Sequence, residues 1–203
     1  PTVIPPPVGP DEILLSEIGS LETEGTAVLG IFFEGPYLGY TGAIPEGALG
    51  SPDPARVRRL IKAARPCPVI FAVAPEIPGM DELIPVMAEG GTPVFITHTG
   101  ADVQQSRRAF DAGARHATHF YDVFPFPEER DPGVRPVGVV EAVLADPRVS
   151  VDFILDGEHV DPVAVEMALL CKGPDRICLI SDANLGAGFA PGKYAGLGGS
   201  EVE

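Results

Sequence analysis

The sequence of 203 residues carries 29 Asp and Glu against 14 Lys and Arg, which gives a formal net charge of −15 at pH 7. This balance excludes the nucleic-acid-binding class and binding to anionic membranes, because both need clustered Lys and Arg to neutralise phosphates. The 45% of hydrophobic residues can form one substantial core, and no apolar run approaches the ~20 residues of a membrane helix. Three cysteines without CxxC spacing indicate reduced thiols, so we expect a globular, cytoplasmic protein.

Short apolar runs rich in β-branched residues alternate along the chain with segments of helical character. Seven such runs predict strands, at 2–4, 27–33, 68–73, 92–97, 117–120, 149–155 and 176–181. Helices are predicted between most of them, at 11–23, 53–64, 79–89, 102–112, 137–145 and 161–171. Helix starts at Asp53-Pro54 and Asp161-Pro162, and a helix end at Gly113, agree with these bounds. The alternation predicts βαβ units and a parallel sheet, either doubly wound or closed as a (β/α)8 barrel.

Five side chains that could bind a metal or carry a proton stand at or near the ends of different predicted strands. They are Glu34, His98, His119, His159 and Asp182. Because the carboxyl ends of parallel strands share one face, these side chains can converge there. A barrel gathers them around one centre, whereas an open sheet spreads them along an edge. We therefore predict an α/β fold of the (β/α)8 TIM-barrel type.

The residue types in this set indicate metal-assisted hydrolysis. One carboxylate and two imidazoles make a divalent-metal site of the open catalytic kind, which leaves a position for water. A second carboxylate nearby can take the proton of that water and pass it to a leaving group. Each residue also has a structural alternative: Glu34 as a solvated turn residue, the histidines as backbone-bonded core residues, and Asp182 as a loop cap. We assign His116 a structural role. It is an odd number of positions from His119, so the two side chains would share one face of a strand only if that strand were irregular.

Several segments, taken in order, resemble the N-acetylglucosamine-6-phosphate deacetylases of the amidohydrolase superfamily. They are LGIFFEGPYLG, THTGADVQQSRRAFDAGARHATHFYDVFP, RDPG, DGEHV, SDANLGAG and PGKYAGLGG. Together these motifs are specific, although each alone is not. The resemblance implies a metal-dependent (β/α)8 barrel of the amidohydrolase kind. It also implies removal of the acetyl group from N-acetylglucosamine 6-phosphate, which yields glucosamine 6-phosphate and acetate.

The resemblance assigns roles to individual residues. The metal ligands of the family match Glu34, His98 and His119. Its catalytic aspartate matches Asp182, which would deprotonate the metal-bound water and then protonate the departing amine. His159 is expected to contact the substrate, and Arg130 to meet its phosphate as a bidentate cation. This arginine is also a candidate to serve the site of a neighbouring subunit.

Two departures from the family pattern concern the substrate. Ile44 stands where the family commonly has a histidine that binds or polarises the scissile amide. Asp122 and Val123 stand where the family has an asparagine and a neighbour that help to hold the sugar phosphate. Since a carboxylate repels a phosphate, these changes favour an alternative reading as an amidohydrolase for another N-acyl substrate. A further alternative is a catalytically degenerate sugar-phosphate-binding homologue.

The resemblance also predicts how much of the family's fold the sequence covers and what it binds. We expect residues 1–203 to form one partial catalytic barrel domain, without the first and last barrel strands and the terminal β-sandwich. The expected cofactor is one divalent metal, zinc first, with iron(II), manganese or cobalt suited to the same ligands; a second metal is left open. The expected partners are a small amino-sugar phosphate and further copies of the chain, as a homodimer or higher homo-oligomer.

Overall fold

The computed structural model describes residues 2–3, 15, 17–18, 24–25, 27–129, 131–184, 186–195 and 201–202. Seven parallel strands form one sheet, in which strands that are neighbours in sequence are also neighbours in space. They are β1 Thr2–Val3, β2 Ile31–Glu34, β3 Val69–Val73, β4 Val94–Ile96, β5 Ala114–Ala117, β6 Ser150–Ile154 and β7 Ile177–Ile180. A doubly wound sheet reverses its strand order at a switch point, and this sheet does not. The (β/α)8-type prediction is therefore confirmed.

Five helices connect these strands and lie close to the predicted positions. They are α1 Pro54–Ala63, α2 Met80–Ala88, α3 Val103–Ala112, α4 Val139–Ala145 and α5 Pro162–Lys172. The Asp53 side chain accepts hydrogen bonds from two backbone N–H groups of the first turn of α1, and Asp161 accepts one from Val163 N in α5. The helix predicted at 11–23 lies mostly outside the described residues, and Leu15, Glu17 and Ile18 within it are helical.

The fifth strand lies three residues earlier in the chain than the sequence predicts. A strand was expected at 117–120, whereas β5 ends at Ala117. The reason is the backbone of His119, whose φ of 32° is left-handed and cannot continue a strand. His119 therefore lies in the loop after β5.

A continuous apolar core lies between the sheet and the helices. Its largest fully buried side chains include Phe33 and Phe71, which stack with ring centroids 5.2 Å apart, and Phe110 and Phe153. Burying each such side chain contributes about 1.5–3 kcal/mol. This core fixes β2 to β6 rigidly enough for the loops at their carboxyl ends to hold a site.

Among the described residues the sheet has seven strands, whereas a closed barrel has eight. The barrel is therefore incomplete, as the sequence predicts, and its edges are the two-residue β1 and β7, the strand just before Asp182. Within the described residues β1 and β7 do not pair. Two further short strands, β8 Tyr194–Ala195 and β9 Glu201–Val202, form a separate antiparallel pair. No helix in the described part of the chain is long and apolar enough to cross a membrane.

Candidate metal centre

Glu34 is the last residue of β2 and ends an otherwise apolar strand. The N–H of the next residue, Gly35, donates to the carbonyl of Ala72 at 3.1 Å, which holds the strand end in the sheet. The Glu34 side chain is buried, and a buried carboxylate is costly unless it is paired. Its partners are the two histidines that the sequence predicted.

His98 and His119 both direct Nε2 at the same oxygen of Glu34. The distance to Glu34 Oε1 is 3.1 Å from His98 Nε2 and 2.9 Å from His119 Nε2. One ligand atom from each of the three residues lies within 4.8 Å of the others. Two ligand atoms bound to one metal at about 2.0–2.1 Å each lie roughly 3–4 Å apart. The three residues therefore fit a single divalent ion.

A hydrogen bond at Nδ1, the ring nitrogen that does not face Glu34, fixes the orientation of His98. His98 Nδ1 lies 2.9 Å from the backbone oxygen of Tyr40, and because a carbonyl only accepts, Nδ1 donates. The lone pair of a neutral His98 is then on Nε2, the atom that faces Glu34. Outer hydrogen bonds of this kind orient metal-ligating histidines in general. His119 differs: among the described residues its buried Nδ1 has no hydrogen-bond partner, while Thr97 Oγ1 lies 3.1 Å from its Nε2.

The electrostatics of the cluster favour an ionised Glu34. Burial by itself raises the pKa of this carboxyl, but the contacts with His119 and His98 outweigh burial and lower the pKa to about 2. Burial by itself lowers the pKa of His119, and its hydrogen bond to Glu34 reverses this, so that the pKa is raised. The group is thus built around one fixed negative charge.

Backbone strain is concentrated at the same place. Among the described residues, five that are not glycine have a positive φ: His98, His119, Tyr121, Val123 and Asp182. Such conformations cost about 1–3 kcal/mol each and persist where the surrounding structure enforces them, often at functional sites. Four of the five, all except Tyr121, are site residues that the sequence predicted.

Asp182 follows β7 by two residues and is exposed in this chain. Displacement of water by surrounding protein atoms raises the pKa of its carboxyl, and the negative charge of Glu34 raises it further. The charges of His119 and His159 act in the opposite direction. Asp182 is thus near enough to Glu34, His119 and His159 for their charges to act on its carboxyl.

His159 lies in the loop after β6 and is half exposed. Its Nδ1 is 2.7 Å from Asp156 Oδ2, and Asp156 also accepts from the backbone N–H groups of Glu158 and His159. These backbone hydrogen bonds, with the His159 side chain, lower the pKa of Asp156 to about 2. An ionised Asp156 accepts the proton on His159 Nδ1, so Nε2 is the ring nitrogen left for another contact.

The predicted substrate residues Asp122 and Val123 lie in the loop after β5. Asp122 is half-buried, and its Oδ2 is buried without a hydrogen-bond partner among the described residues. Burial raises the pKa of this carboxyl, and the charges of His159 and His119 lower it in part. Arg130 lies outside the described residues.

A loop after β2 packs closely on this region. A Cβ atom at Gly42 would lie 2.9 Å from Val123 Cγ2 and 2.9 Å from His98 Cε1, so only glycine fits there. Ile44, which occupies the family's histidine position, is buried, and its N–H donates to the Thr41 carbonyl at 2.9 Å. The apolar side chain therefore forms part of the packing beside the site.

Two carboxylates that the sequence analysis missed lie next to the predicted ligands. Glu76, in the loop after β3, accepts hydrogen bonds from Thr99 Oγ1 and, at 2.8 Å, from Gly100 N. It thereby holds the two residues that follow His98. Asp152, within β6, accepts from the backbone N–H of His119. The sequence offers a weak signal for both, namely an acidic residue inside or directly after a buried apolar run.

The chain is similar to two proteins of related description. One, from Escherichia coli O157:H7, is named N-acetylgalactosamine-6-phosphate deacetylase; it is 35% identical over 181 residues, which cover 88% of this chain and 46% of that protein. Another, from Vibrio furnissii, is named N-acetylglucosamine-6-phosphate deacetylase; it is 31% identical over 207 residues, covering 100% of this chain and 50% of that protein. No family model matches the chain.

Solved structures give the same result. An N-acetyl-D-glucosamine-6-phosphate deacetylase mutant from Mycobacterium smegmatis, in complex with N-acetyl-D-glucosamine-6-phosphate, matches with a TM-score of 0.82 and 30% identity over 95% of this chain and 50% of that one. The enzyme from Pasteurella multocida matches with a TM-score of 0.82 and 29% identity over 100% of this chain and 52% of that one. The chain spans about half the length of these relatives. It is therefore a relative of the N-acetylglucosamine-6-phosphate deacetylases, and the resemblance to that family is confirmed over most of its length.

Proposed function

We propose that the protein to which this chain belongs hydrolyses the acetamide bond of N-acetylglucosamine 6-phosphate, giving glucosamine 6-phosphate and acetate. The observation that carries the proposal is the convergence of Glu34, His98 and His119 on one point, with Asp182 beside them. The names of the relatives support the substrate class. The chain is proposed to supply most of a catalytic barrel domain.

The proposed cofactor is one divalent metal ion held by Glu34 Oε1, His98 Nε2 and His119 Nε2. Nitrogen and carboxylate ligands of this kind suit zinc first, and also iron(II), manganese or cobalt. When bound, such an ion acts as a Lewis acid that polarises the amide carbonyl and lowers the pKa of a water molecule. Three protein ligands leave room for water or substrate.

Asp182 is the proposed proton carrier. An attacking water must lose a proton as it adds to the acetamide carbon, and the amine must gain a proton as the carbon–nitrogen bond breaks. One carboxylate can accept the first proton and supply the second, so no proton is consumed or left over. The pKa of Asp182 is raised, which makes its carboxylate a stronger base than an ordinary aspartate.

The remaining predicted residues are proposed to bind the substrate. His159, held by Asp156, presents Nε2 as a hydrogen-bonding atom toward the region of Asp122 and Asp182, with which its charge interacts. Arg130 is proposed to bind the phosphate, as the family pattern implies. Asp122 and Val123 are proposed to line the sugar-phosphate end of the site.

A substrate panel tests the proposal. The full-length protein is incubated with N-acetylglucosamine 6-phosphate, N-acetylgalactosamine 6-phosphate and the two unphosphorylated sugars, and released acetate is measured. Release from one or both phosphorylated sugars, at least about tenfold faster than from the free sugars, is the expected result. No release from any of the four contradicts the proposed activity.

One observation favours a second candidate, an amidohydrolase for an N-acyl compound without phosphate. Asp122 Oδ2 is buried and has no donor among the residues that the structure describes, and such an oxygen pairs with a hydroxyl or ammonium group and repels a phosphate. This candidate predicts that the free sugars are the better substrates and that D122N shifts the preference toward the phosphorylated ones. Unchanged preference in D122N contradicts it.

The cellular location and the oligomeric state of the protein are also proposals. We place it in the cytoplasm, where the three cysteines, free in the structure, remain reduced. We propose that it works as a homodimer or higher homo-oligomer. Size-exclusion chromatography with light scattering of the full-length protein tests the assembly, and a monomer at micromolar concentration contradicts it.

A further inference from the structure

A buried acid–base pair lies outside the set of residues that the proposed reaction uses. Asp152 is in the middle of β6 and is 4% exposed; His116 is in the neighbouring strand β5 and is 6% exposed. Asp152 Oδ2 lies 2.8 Å from His116 Nε2. A carboxylate inside a sheet is costly to bury, and an apolar residue of similar size usually stabilises a core at least as well. The presence of the pair therefore calls for another reason.

The contacts of Asp152 supply that reason. Its side chain accepts hydrogen bonds from the backbone N–H of His119 and from Thr118 Oγ1, the latter at 3.1 Å to both oxygens. The main-chain oxygen of Asp152 accepts from Phe120 N at 2.9 Å. Asp152 thus contacts three consecutive residues at the point where the chain leaves β5. The middle residue of the three, His119, is a candidate metal ligand.

His119 has a particular need for such a contact. Its φ of 32° takes it out of the strand, so its N–H can no longer join the regular sheet ladder. Its ring Nδ1 also lacks a partner among the described residues. The hydrogen bond from its backbone N–H to Asp152 is therefore a contact that holds the main chain of His119 in this conformation.

We propose that Asp152 is a positioning residue of the metal centre: it fixes the backbone of His119 so that Nε2 faces Glu34, while His116 Nε2 pairs with its carboxylate. This inference rests on the proposed function, because it assigns Asp152 a role toward the proposed metal. His116 is in turn held by Ser150, whose Oγ lies 2.6 Å from His116 Nδ1. Ser150, His116 and Asp152 form a buried chain of hydrogen bonds that ends at His119.

The position of His98 provides an independent parallel within the same molecule. His98 also has a left-handed backbone, with a φ of 46°, and the residues after it are held by the carboxylate of Glu76. Each histidine of the metal group is therefore followed or held by backbone that donates to a carboxylate, Glu76 in the loop after β3 for His98 and Asp152 in β6 for His119. Outer groups that orient metal ligands typically change metal affinity by about 10- to 100-fold when they are removed.

The test compares D152A, D152N and S150A in the full-length protein. S150A is the matched control. It removes the hydrogen bond between Ser150 and His116, and it leaves the contacts of Asp152 with His119 and Thr118 intact. Zinc affinity is measured by competition with a chromogenic chelator. Protection of the His119 amide is measured in the metal-free protein by hydrogen exchange with NMR detection, and thermal melting reports the general loss of stability.

The expected result is a zinc dissociation constant raised about 10- to 100-fold in D152A, with S150A within about threefold of the original protein. The His119 amide is expected to exchange at least about tenfold faster in D152A relative to neighbouring core amides. D152N keeps one acceptor oxygen but loses the charge, so its zinc affinity is expected to fall severalfold. If D152A does not fold, D152N and S150A decide the question.

Two results overturn the inference: zinc affinity of D152A or D152N within about twofold of the original protein, or equal losses in the aspartate variants and in S150A at equal melting temperature. Failure of the proposed function gives a different pattern. In that case the original protein binds no zinc or releases no acetate, while the exchange rate of the His119 amide still reports whether Asp152 holds it.

Discussion

Glu34 Oε1 and His119 Nε2 lie 2.9 Å apart although 85 residues separate them in the chain. The contact exists because β2 and β5 end on the same face of a sheet whose strands follow sequence order. His98, from β4 between them in the sheet order, completes the group at 3.1 Å from the same oxygen. The fold thus converts three distant positions into one metal-binding geometry.

Loss of the Glu34 charge is expected to abolish tight metal binding. E34Q keeps the shape of the side chain but removes the anion that faces both Nε2 atoms. We expect zinc affinity to fall by at least about 100-fold, at the upper end of what changes around metal ligands cause. E89Q is the control, because Glu89 is an exposed carboxylate paired with Arg58 far along the surface. Calorimetric titration with zinc measures both; equal affinities in the two variants contradict the assignment of Glu34.

Replacement of Asp182 separates catalysis from binding. D182N removes the proton carrier but none of the three proposed ligands, so metal content is expected to stay at the original level. Loss of a general acid or base typically lowers kcat by about 10²–10⁴-fold. Acetate release and metal content are measured on the same sample. D81N, at an exposed position paired with Arg108, is the control. A D182N variant with near-original kcat contradicts the assignment of Asp182 as the proton carrier.

The titration of Asp182 gives a prediction with a definite sign. In the metal-free protein its pKa is raised from the ordinary 3.8, by loss of water contact and then by the charge of Glu34. The folded chain therefore binds this proton more tightly than the unfolded chain does. The stability from this group is present at acid pH and is lost as pH rises through the raised pKa.

Carbon-13 NMR of the aspartate carboxyl groups checks this titration. In E34Q the pKa of Asp182 is expected to fall toward its ordinary value, because the charge of Glu34, one of the three causes that raise it, is gone. Added metal is expected to lower it as well, since a nearby cation favours the carboxylate. A pKa for Asp182 at or below 3.8 in the metal-free protein contradicts the electrostatic account.

The ion pair of Asp146 with Arg148 predicts the opposite dependence of stability on pH. Hydrogen bonds from Arg148 lower the pKa of Asp146 to about 2. A lowered carboxyl pKa means that the stabilisation is present above the unfolded value and is lost as pH falls toward 2. D146N is expected to reduce the free energy of unfolding by about 1 kcal/mol at pH 7, because the Arg148 side chain is partly exposed. Urea denaturation at neutral and acid pH measures this; a difference that persists undiminished at pH values near 2 contradicts the assignment.

The fold and most of the site could be predicted from the sequence for identifiable reasons. Glu34 and His98 follow clear apolar runs, so their place at strand ends is visible in the pattern. Parallel strands then bring such ends together. The position of His119 relative to its strand could not be predicted, because its left-handed backbone depends on tertiary contacts from β6.

Asp152 shows where sequence reasoning stops. Within the run VSVDFIL it is one polar residue in a buried strand, and alternation alone cannot tell an aspartate that faces solvent from one that holds a neighbouring loop. The same holds for Glu76, whose partners Thr99 and Gly100 lie on another strand connection. Contacts between strands, rather than positions along them, distinguish these roles.

The most direct test of the central claim is acetate release from N-acetylglucosamine 6-phosphate by the full-length protein, with metal content determined on the same sample before and after chelation. The account predicts one divalent ion per chain, loss of acetate release when the ion is removed, and its return when zinc is added back. Acetate release that continues at the original rate after complete removal of the metal would contradict it.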